Sequence, residues 1–326
     1  MQEIQAQVYP WQQTVWDNLT ARFPKMGHGL LFYGKKGCGK EAFAQEFLAW
    51  ILCQNRHAHN KACGVCGSCQ WLKSDTHPNY VHISTDEENK KQNAKIKIEK
   101  VRDLLPFVQQ TVDGWRVVVI EPAEALNIAS SNALLKTLEE PGERIVIILL
   151  ADHYLKLPAT IRSRLQHFAL DRISAEQTQN YLQANLPEEH QQDINLLLNL
   201  SNQMPLLAIE LAEKEWVKKR HDFLQDWQRL VLQKNAPLSI ASKWNKELPF
   251  VDFMQMFEYL LADVVALKMQ QHIKNTDLNF TAIAEQYSLE VLFKIYSELQ
   301  EAKRMIEQNV QGNLVLDQLC IKLMNV

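Results

Sequence analysis

A glycine-rich loop at residues 34–41, with the sequence GKKGCGKE, places the strongest constraint on how this chain can fold. The apolar run Gly29–Tyr33 before it predicts a short buried strand, and the helical spacing of Lys40–Leu52 predicts the helix that follows. This order is typical of a phosphate-binding loop, in which backbone N–H groups and one lysine surround an anion. A glycine-rich hairpin turn is the alternative, which the flanking pattern disfavours. The predicted phosphate-binding residues are Gly34, Gly37, Gly39 and Lys40.

The loop departs from the hydrolytic pattern at its last position, where Glu41 replaces the serine or threonine whose hydroxyl binds Mg²⁺. Glu121 has the position of the acid directed at Mg²⁺, but Pro122 replaces the carboxylate that activates water in hydrolysing relatives of this architecture. Ala151 stands where a polar residue normally contacts the γ-phosphate. These changes predict a loop that does not hydrolyse ATP, while the preserved lysine leaves ATP binding open. The alternative is an active ATPase in which Glu41 binds Mg²⁺ and Glu124 serves as the base.

The first half of the chain alternates short apolar runs with segments of helical periodicity. Strands are predicted at 80–83, 117–120, 145–150 and 166–170, helices at 98–111 and 125–139, and a polar loop at 86–97. Such alternation predicts a parallel sheet covered on both faces, with ligands at the carboxyl ends of the strands. We therefore predict an α/β domain over residues 1–170.

The second half of the chain loses the strand-like runs. Ser174 begins a helix with a capping-box pattern. Residues 171–212 predict a small helical lid domain, and residues 213–326 predict a domain of longer amphipathic helices, including 250–271 and 289–305. The predicted fold class is therefore α/β followed by all-α.

Four of the six cysteines lie within residues 53–69, as an insert in the predicted α/β domain. Glycine follows Cys63 and Cys66, so the backbone can curl and bring several thiolates toward one point. Clustered cysteines in a reducing compartment predict a metal site more readily than disulfides, and four thiolates form the closed tetrahedral site of structural zinc. The predicted Zn²⁺ ligands are Cys53, Cys63, Cys66 and Cys69.

Other interpretations of these cysteines are weaker. An iron–sulfur cluster uses similar spacings, but its fourth cysteine lies downstream and precedes a proline, whereas here the fourth lies upstream. His57 or His59 could bind the metal in place of Cys53. Four unrelated buried thiols are improbable at this density. The two remaining thiols, Cys38 and Cys320, are predicted to be buried or half-buried.

The net charge of −3 argues against a chain coated in cations for nucleic acid, so any DNA contact is expected to be local or shared with partners. A zinc-dependent DNA-binding module is disfavoured because only three basic residues lie near the cysteines: Arg56, Lys61 and Lys73. The longest apolar run, 145–151, is too short to span a bilayer, and the first residues begin no signal peptide. We expect a cytoplasmic protein without a membrane partner.

Two further motifs accompany the loop and the cysteine cluster. They are SNALLKTLEEP at residues 131–141 and IRSR at residues 161–164. Together these features resemble the clamp-loader AAA+ family of bacterial DNA polymerase III. The similarity covers residues 1–170 well, and the helical remainder agrees in architecture.

The resemblance implies partners and roles. Members form a five-subunit ring of gamma or tau ATPase subunits, a clamp-opening delta subunit and a stationary subunit, and this ring loads the sliding clamp onto primed DNA. The altered loop is similar to that of the stationary, non-hydrolysing member. Arg164, with Ser163, would then supply an arginine finger to an adjacent ATPase subunit, and residues 213–326 would form a collar that holds the ring together. From spacing alone, Arg164 is equally a surface arginine paired with a carboxylate.

Two departures from the family pattern are visible. Leu165 follows the Ser-Arg pair where the family usually has cysteine, which leaves the implied role of the arginine unchanged. Residues 201–206 contain no arginine at the place from which ATPase relatives sense nucleotide, in agreement with an inactive site.

Overall fold

The structure is a computed structural model that describes residues 6–56, 61–85, 94–110, 113–233, 237–308 and 310–324. The chain divides into two compact units, residues 1–178 and 179–326. The boundaries predicted near residues 170 and 212, which separate the α/β, lid and collar domains, stay predictions.

A parallel sheet forms the centre of the first unit. Its strands among the described residues are β1 (Gly29–Tyr33), β2 (Tyr80–Ile83), β3 (Arg116–Ile120), β4 (Ile145–Ala151) and β5 (Gln166–Ala169). Their spatial order is β2-β3-β4-β1-β5, and Tyr33 lies opposite Ala151 at the carboxyl ends of β1 and β4. β3 and β4 are buried along their whole length, as expected of parallel strands covered on both faces. The predicted α/β architecture is confirmed.

Helices connect these strands and cover the sheet. In chain order they are α1 (Gln13–Arg22), α2 (Lys40–Leu52), α3 (Gly67–Lys73), α4 (Ile98–Arg102), α5 (Leu104–Gln109), α6 (Ile128–Glu139) and α7 (Ala159–Arg162). The glycine-rich loop joins β1 to α2, so the predicted order of strand, loop and helix is present.

In the first unit, two helices differ from their predicted bounds. The helix predicted at 98–111 is two short helices, α4 and α5, that meet at Asp103, and its last residue lies outside the described part of the chain. Pro106 accounts for the break because it has no N–H to donate to the carbonyl four residues earlier. The helix predicted at 125–139 begins at Ile128, where Asn127 caps it by accepting a hydrogen bond of 2.8 Å from the Ser130 N–H.

Among its described residues the second unit contains helices and no strand, which confirms the predicted change to all-α structure. From residue 175 onward the helices are α8 (Ala175–Asn185), α9 (Ile194–Leu200), α10 (Pro205–Ala212), α11 (Glu215–Leu232), α12 (Pro237–Glu247), α13 (Phe250–Lys268), α14 (Thr281–Gln286), α15 (Leu289–Glu307) and α16 (Gly312–Met324). Ser174 and Gln177 exchange hydrogen bonds of 3.0 and 3.1 Å at the start of α8, as the capping-box pattern predicts. The helix predicted at 250–271 ends three residues earlier.

Aromatic side chains form the core of this helical unit. The ring of Phe223 lies 5.0–5.3 Å from those of Trp244, Phe253 and Phe257, all of them buried. These residues come from α11, α12 and α13, so the apolar stripes of these helices meet in one bundle core. Within the described residues, no helix combines the length and apolar character needed to cross a membrane.

Candidate functional site

The glycine-rich loop lies at the carboxyl edge of the sheet, between β1 and α2. Gly37 and Gly39 have φ values of 87° and 84°, in the left-handed region that glycine adopts without strain. A Cβ atom on Gly39 would lie 2.5 Å from the ring of Tyr9. The loop therefore needs glycine at position 39 for its backbone shape and for the close approach of the N-terminal segment.

That N-terminal segment, residues 9–12, covers the loop. Trp11 Nε1 and Gln12 Nε2 both donate to the carbonyl oxygen of Cys38, at 2.9 and 3.0 Å. Burial raises the pKa of the Cys38 thiol to about 12, against the lowering effect of Lys40. The predicted burial of Cys38 is confirmed. The covering segment was not predicted from the sequence, although two aromatic residues beside a proline before α1 are a signal for it.

Lys40 is the group that would meet a nucleotide phosphate, and it is already paired. Its Nζ lies 2.8 Å from Glu41 Oε1 and forms a second ion pair with Asp152, the residue after β4. Its side chain is only 4% exposed. Burial lowers the pKa of the ammonium, but Glu41 and Asp152 outweigh burial and raise it above its ordinary value. The sequence analysis considered Ala151 at the end of β4, but the next residue, Asp152, is the one that contacts Lys40.

A third carboxylate approaches the loop from the segment after β5. Asp171 accepts a hydrogen bond of 3.3 Å from the Lys35 N–H, one of the backbone donors of the loop. A Cβ on Gly34 would lie 3.0 Å from the Asp171 backbone nitrogen, so the two segments pack closely. Three carboxylates of the chain itself therefore pair with the Lys40 ammonium or a backbone N–H of the loop: Glu41, Asp152 and Asp171.

The other predicted acids lie at the same edge of the sheet. Glu121 follows β3, and its Oε2 is 3.7 Å from His82 Nε2. Glu124 accepts a hydrogen bond from the backbone N–H of His153, and its second oxygen is buried without a hydrogen-bond partner among the described residues. Glu124 therefore ties the short 3-10 helix Ala123–Ala125 to the loop after β4.

The predicted arginine finger lies at the end of α7. Arg164 forms an ion pair with Glu139, and its Nη1 donates to the carbonyl of Thr160 at 2.9 Å. Ser163 Oγ donates to the same carbonyl at 3.1 Å. Glu139 is the last residue of α6 and belongs to the SNALLKTLEEP motif. The Arg164 guanidinium therefore contacts its own domain. This is the surface ion pair that the sequence spacing left open as an alternative to the arginine finger.

The structure brings the four clustered cysteines together in a knuckle. All four Sγ atoms lie within 4.8 Å of one another, and both Cys53–Cys66 and Cys63–Cys69 are 4.0 Å apart. Cys53 ends α2, Cys66 caps the start of α3, and Cys69 lies in its first turn. Backbone N–H groups of Cys63 and Cys66 donate to thiol sulfurs at 3.4 Å. The histidines considered as substitute ligands lie outside the described residues.

This geometry fits a tetrahedral metal site. A Zn–S distance of about 2.3 Å corresponds to sulfurs about 3.8 Å apart, close to the separations observed here. All six cysteines are free thiols, and 4.0 Å is about twice the length of a disulfide bond. Because the described residues of the knuckle supply sulfur ligands, the site suits a thiophilic ion such as zinc better than Mg²⁺ or Ca²⁺.

The ionisation of the four thiols also favours a bound cation. Burial raises the pKa of Cys53 and raises that of Cys69 to about 12. Hydrogen bonds from the N–H groups of Val65 and Cys66 lower the pKa of Cys63. For Cys66, burial is outweighed by the N–H groups of Cys69 and Gln54, and the pKa falls to about 6. Backbone N–H groups thus favour the thiolate form of Cys63 and Cys66, whereas burial opposes it at Cys53 and Cys69. Four thiolates at this spacing would repel one another unless a cation lay between them.

The fold and the loop together define a protein of the P-loop class, in which a phosphate-binding loop joins the first strand of a parallel sheet to a helix. Comparison with known proteins narrows this class. Residues 11–174 match the family model described as DNA polymerase III, delta subunit, and residues 214–323 match that of DNA polymerase III, delta subunit, C terminal.

Individual relatives agree with these models. The DNA polymerase III subunit delta' of Pseudomonas aeruginosa is 38% identical over 242 residues, 74% of this chain and 72% of that protein. The subunit delta' of Haemophilus influenzae is 29% identical over 312 residues, 90% of this chain and 91% of that protein. The subunit tau of Escherichia coli is 33% identical over 168 residues, 51% of this chain and 25% of that protein. The chain belongs to the delta-prime family of DNA polymerase III clamp-loader subunits, which confirms the resemblance found in its motifs.

Proposed function

We propose that this delta-prime subunit does not hydrolyse ATP and that its degenerate loop has a structural role. The observation that carries this proposal is the pairing of Lys40 with Glu41 and Asp152. In a working site that ammonium binds the β/γ-phosphates, and a hydroxyl at the position of Glu41 binds Mg²⁺. Here the cation is neutralised and the hydroxyl is replaced by a carboxylate.

Electrostatics makes this site unfavourable for a triphosphate. Three carboxylates surround the loop: Glu41, Asp152 and Asp171. A phosphate entering the loop would displace the ion pairs of Lys40 and then lie within a few ångströms of these negative charges. At 4 Å and an effective dielectric constant near 20, each like-charge contact opposes binding by about 4 kcal/mol before screening.

We further propose that Arg164 acts in trans, as an arginine finger at the nucleotide of a neighbouring ATPase subunit. Its ion pair with Glu139 is half-exposed, and exposed pairs of this kind contribute at most about 1 kcal/mol. A triphosphate in a neighbouring site offers the guanidinium a larger charge and several acceptor oxygens. The exchange of Glu139 for a phosphate is therefore favourable.

The proposed cofactor is one structural Zn²⁺, held by the four knuckle thiolates, and ATP is not proposed as a cofactor. The proposed partners are gamma or tau ATPase subunits and a delta subunit in a five-subunit ring. Through this ring the chain would support loading of the sliding clamp onto primer–template DNA, and a replication subunit of this kind would act in the cytoplasm.

The test uses a clamp loader reconstituted from this chain with its ATPase and delta partners. Replacing Arg164 with alanine should slow DNA-dependent ATP hydrolysis about 10³-fold at the affected site, within the range of arginine-finger losses. Arg164→Lys should remain slow because an ammonium lacks the planar fork. Arg172→Ala removes an exposed arginine from the same unit and should leave the rate unchanged. An unaltered rate in the Arg164→Ala complex would contradict the finger assignment.

The isolated chain provides the matching test of the loop. We expect no ATP turnover by the purified protein in the presence or absence of DNA. Turnover that Lys40→Ala abolishes would instead identify the alternative, an active AAA+ DNA-dependent ATPase subunit.

A further inference from the structure

A second polar cluster lies directly beside the cysteine knuckle and binds no sulfur itself. It consists of Ser68, on α3, and His77, in the segment before β2, and both side chains are buried. A buried hydroxyl or imidazole without a hydrogen-bond partner opposes folding, so buried polar side chains outside the phosphate loop call for an explanation. The direction of their hydrogen bonds gives that reason.

The hydrogen bonds form a one-way chain. The Asn79 N–H donates to His77 Nδ1 at 3.0 Å, so Nδ1 is the acceptor nitrogen of a neutral ring. His77 Nε2 then carries the hydrogen and donates to Ser68 Oγ at 2.7 Å. The Ser68 hydroxyl in turn donates to the carbonyl oxygen of Leu52 at 2.7 Å. Burial lowers the pKa of His77, which favours this neutral tautomer.

The chain ends on the peptide units that carry two of the thiols. The Leu52 carbonyl belongs to the peptide bond with Cys53, at the end of α2, and Ser68 immediately precedes Cys69 on α3. One hydroxyl therefore ties the helix that supplies the first cysteine to the helix that supplies the last. The exposed edge of the cluster is covered by Trp71, whose ring lies 5.9 Å from that of His77.

We propose that Ser68 and His77 are positioning residues of the metal site, which fix the Cys53 and Cys69 sulfurs at the separation that zinc requires. The proposal rests on zinc as the ion of the knuckle. This link joins α2 to α3 beside the metal site independently of the ion. With this link the two helices are already ordered before the ion binds, so less of the free energy of zinc binding is needed to order them.

Outer-shell partners of metal ligands typically contribute 10–100-fold in affinity. The link here acts through the backbone beside the ligands rather than on sulfur, so we expect the lower end of that range. Ser68→Ala and His77→Asn should each weaken zinc binding about tenfold in the full-length protein. Asn at position 77 can keep the acceptor for the Asn79 N–H but cannot reach Ser68. Gln reaches further, so His77→Gln should recover part of the loss.

Ser74→Ala is the matched control. Ser74 caps the end of the same helix, but its hydroxyl is exposed and bonds only to its immediate neighbourhood. Zinc affinity would be measured by competition with a chromophoric chelator, and the site geometry by the absorption spectrum of the Co²⁺-substituted protein. We expect the control to match the wild type in both, and Ser68→Ala to alter the Co²⁺ spectrum.

Thermal unfolding with and without zinc separates a positioning role from a general structural one. A positioning role predicts that Ser68→Ala and His77→Asn reduce the stabilisation gained on zinc binding. Equal losses of Tm with and without zinc, at wild-type zinc affinity, would overturn the positioning role alone. A wild-type chain that binds no zinc would overturn both this proposal and the proposed cofactor, while leaving the proposals for the loop and Arg164 intact.

Discussion

The phosphate loop and the cysteine knuckle lie at opposite ends of the same helix, α2, and they treat charge in opposite ways. At the start of α2, Lys40 is neutralised by Glu41 and Asp152. At its end, Cys53 lies in a cluster with three other thiols whose sulfur atoms are close enough to hold one metal ion. The charge of Lys40 is balanced within the chain, whereas the four thiols have the geometry of a site that an added metal ion would complete.

The two sites therefore differ in whether the chain itself supplies the opposite charge. A functional binding site keeps an unbalanced charge or an unfilled coordination shell that its ligand completes. The loop retains the glycines and the lysine of a phosphate site, but the chain itself supplies the anions. Motif residues alone therefore do not report function; the partners of those residues do.

The largest expected effect is the loss of the metal from the knuckle. Chelation of zinc, or Cys69→Ser, should reduce the free energy of unfolding of the α/β unit by more than about 4 kcal/mol, the range typical of lost metal sites. Denaturant unfolding with and without chelator would measure this. Chelator should have little further effect on Cys69→Ser, and identical wild-type curves in both conditions would contradict a structural metal.

A matched pair of glycines compares the backbones of the two sites. Gly39 in the loop and Gly64 in the knuckle are both left-handed, with φ of 84° and 73°. A Cβ on Gly39 would also meet the ring of Tyr9, whereas no atom of the described residues lies within 4 Å of one on Gly64. Gly39→Ala should therefore destabilise the fold by about 3 kcal/mol, and Gly64→Ala by about 1 kcal/mol.

Thermal or denaturant unfolding of the two variants would give both values. The added loss at Gly39 should shrink in the Tyr9→Ala background, because the clash partner is then gone. Equal losses for the two glycines would show that the N-terminal segment does not press on the loop.

Neutralising the internal carboxylates should reopen the loop to nucleotide. Asp152→Asn frees Lys40 of one ion pair and should raise the affinity for a fluorescent ATP analogue about tenfold, or 1.4 kcal/mol. Adding Glu41→Thr restores a hydroxyl for Mg²⁺ and should strengthen binding again when Mg²⁺ is present. Asp17→Asn, an exposed carboxylate on α1, is the control. Unchanged affinity in the double variant would mean that the carboxylates do not close the site.

The smallest effect concerns a tryptophan in each region. Trp11→Phe removes the indole hydrogen bond to the Cys38 carbonyl and should cost about 1 kcal/mol of stability. Trp71→Phe, at a half-exposed position on the knuckle, should change stability by less than about 0.5 kcal/mol. Chemical denaturation would resolve this difference, and equal values would argue against the covering role of residues 9–12.

Much of this molecule follows from local sequence pattern. The apolar runs of β1, β3 and β4 predict buried parallel strands, and the Ser174 capping box predicts the start of α8. Each rests on residues close together in the chain. Helix bounds are predicted less accurately where a single residue determines them. Pro106 divides one predicted helix, and Asn127 delays the start of another.

The sequence by itself determined which chemical groups are available: a glycine loop with one lysine, four clustered thiols and a Ser-Arg pair. Only the tertiary structure decided what those groups face. Asp152 and Asp171 reach the loop because neighbouring parallel strands end at one edge of the sheet, although they lie more than a hundred residues from Lys40 in the chain. Ser68 likewise reaches the Leu52 carbonyl only when α3 packs against α2. Such contacts depend on strand order and helix packing, which periodicity within a single segment does not encode.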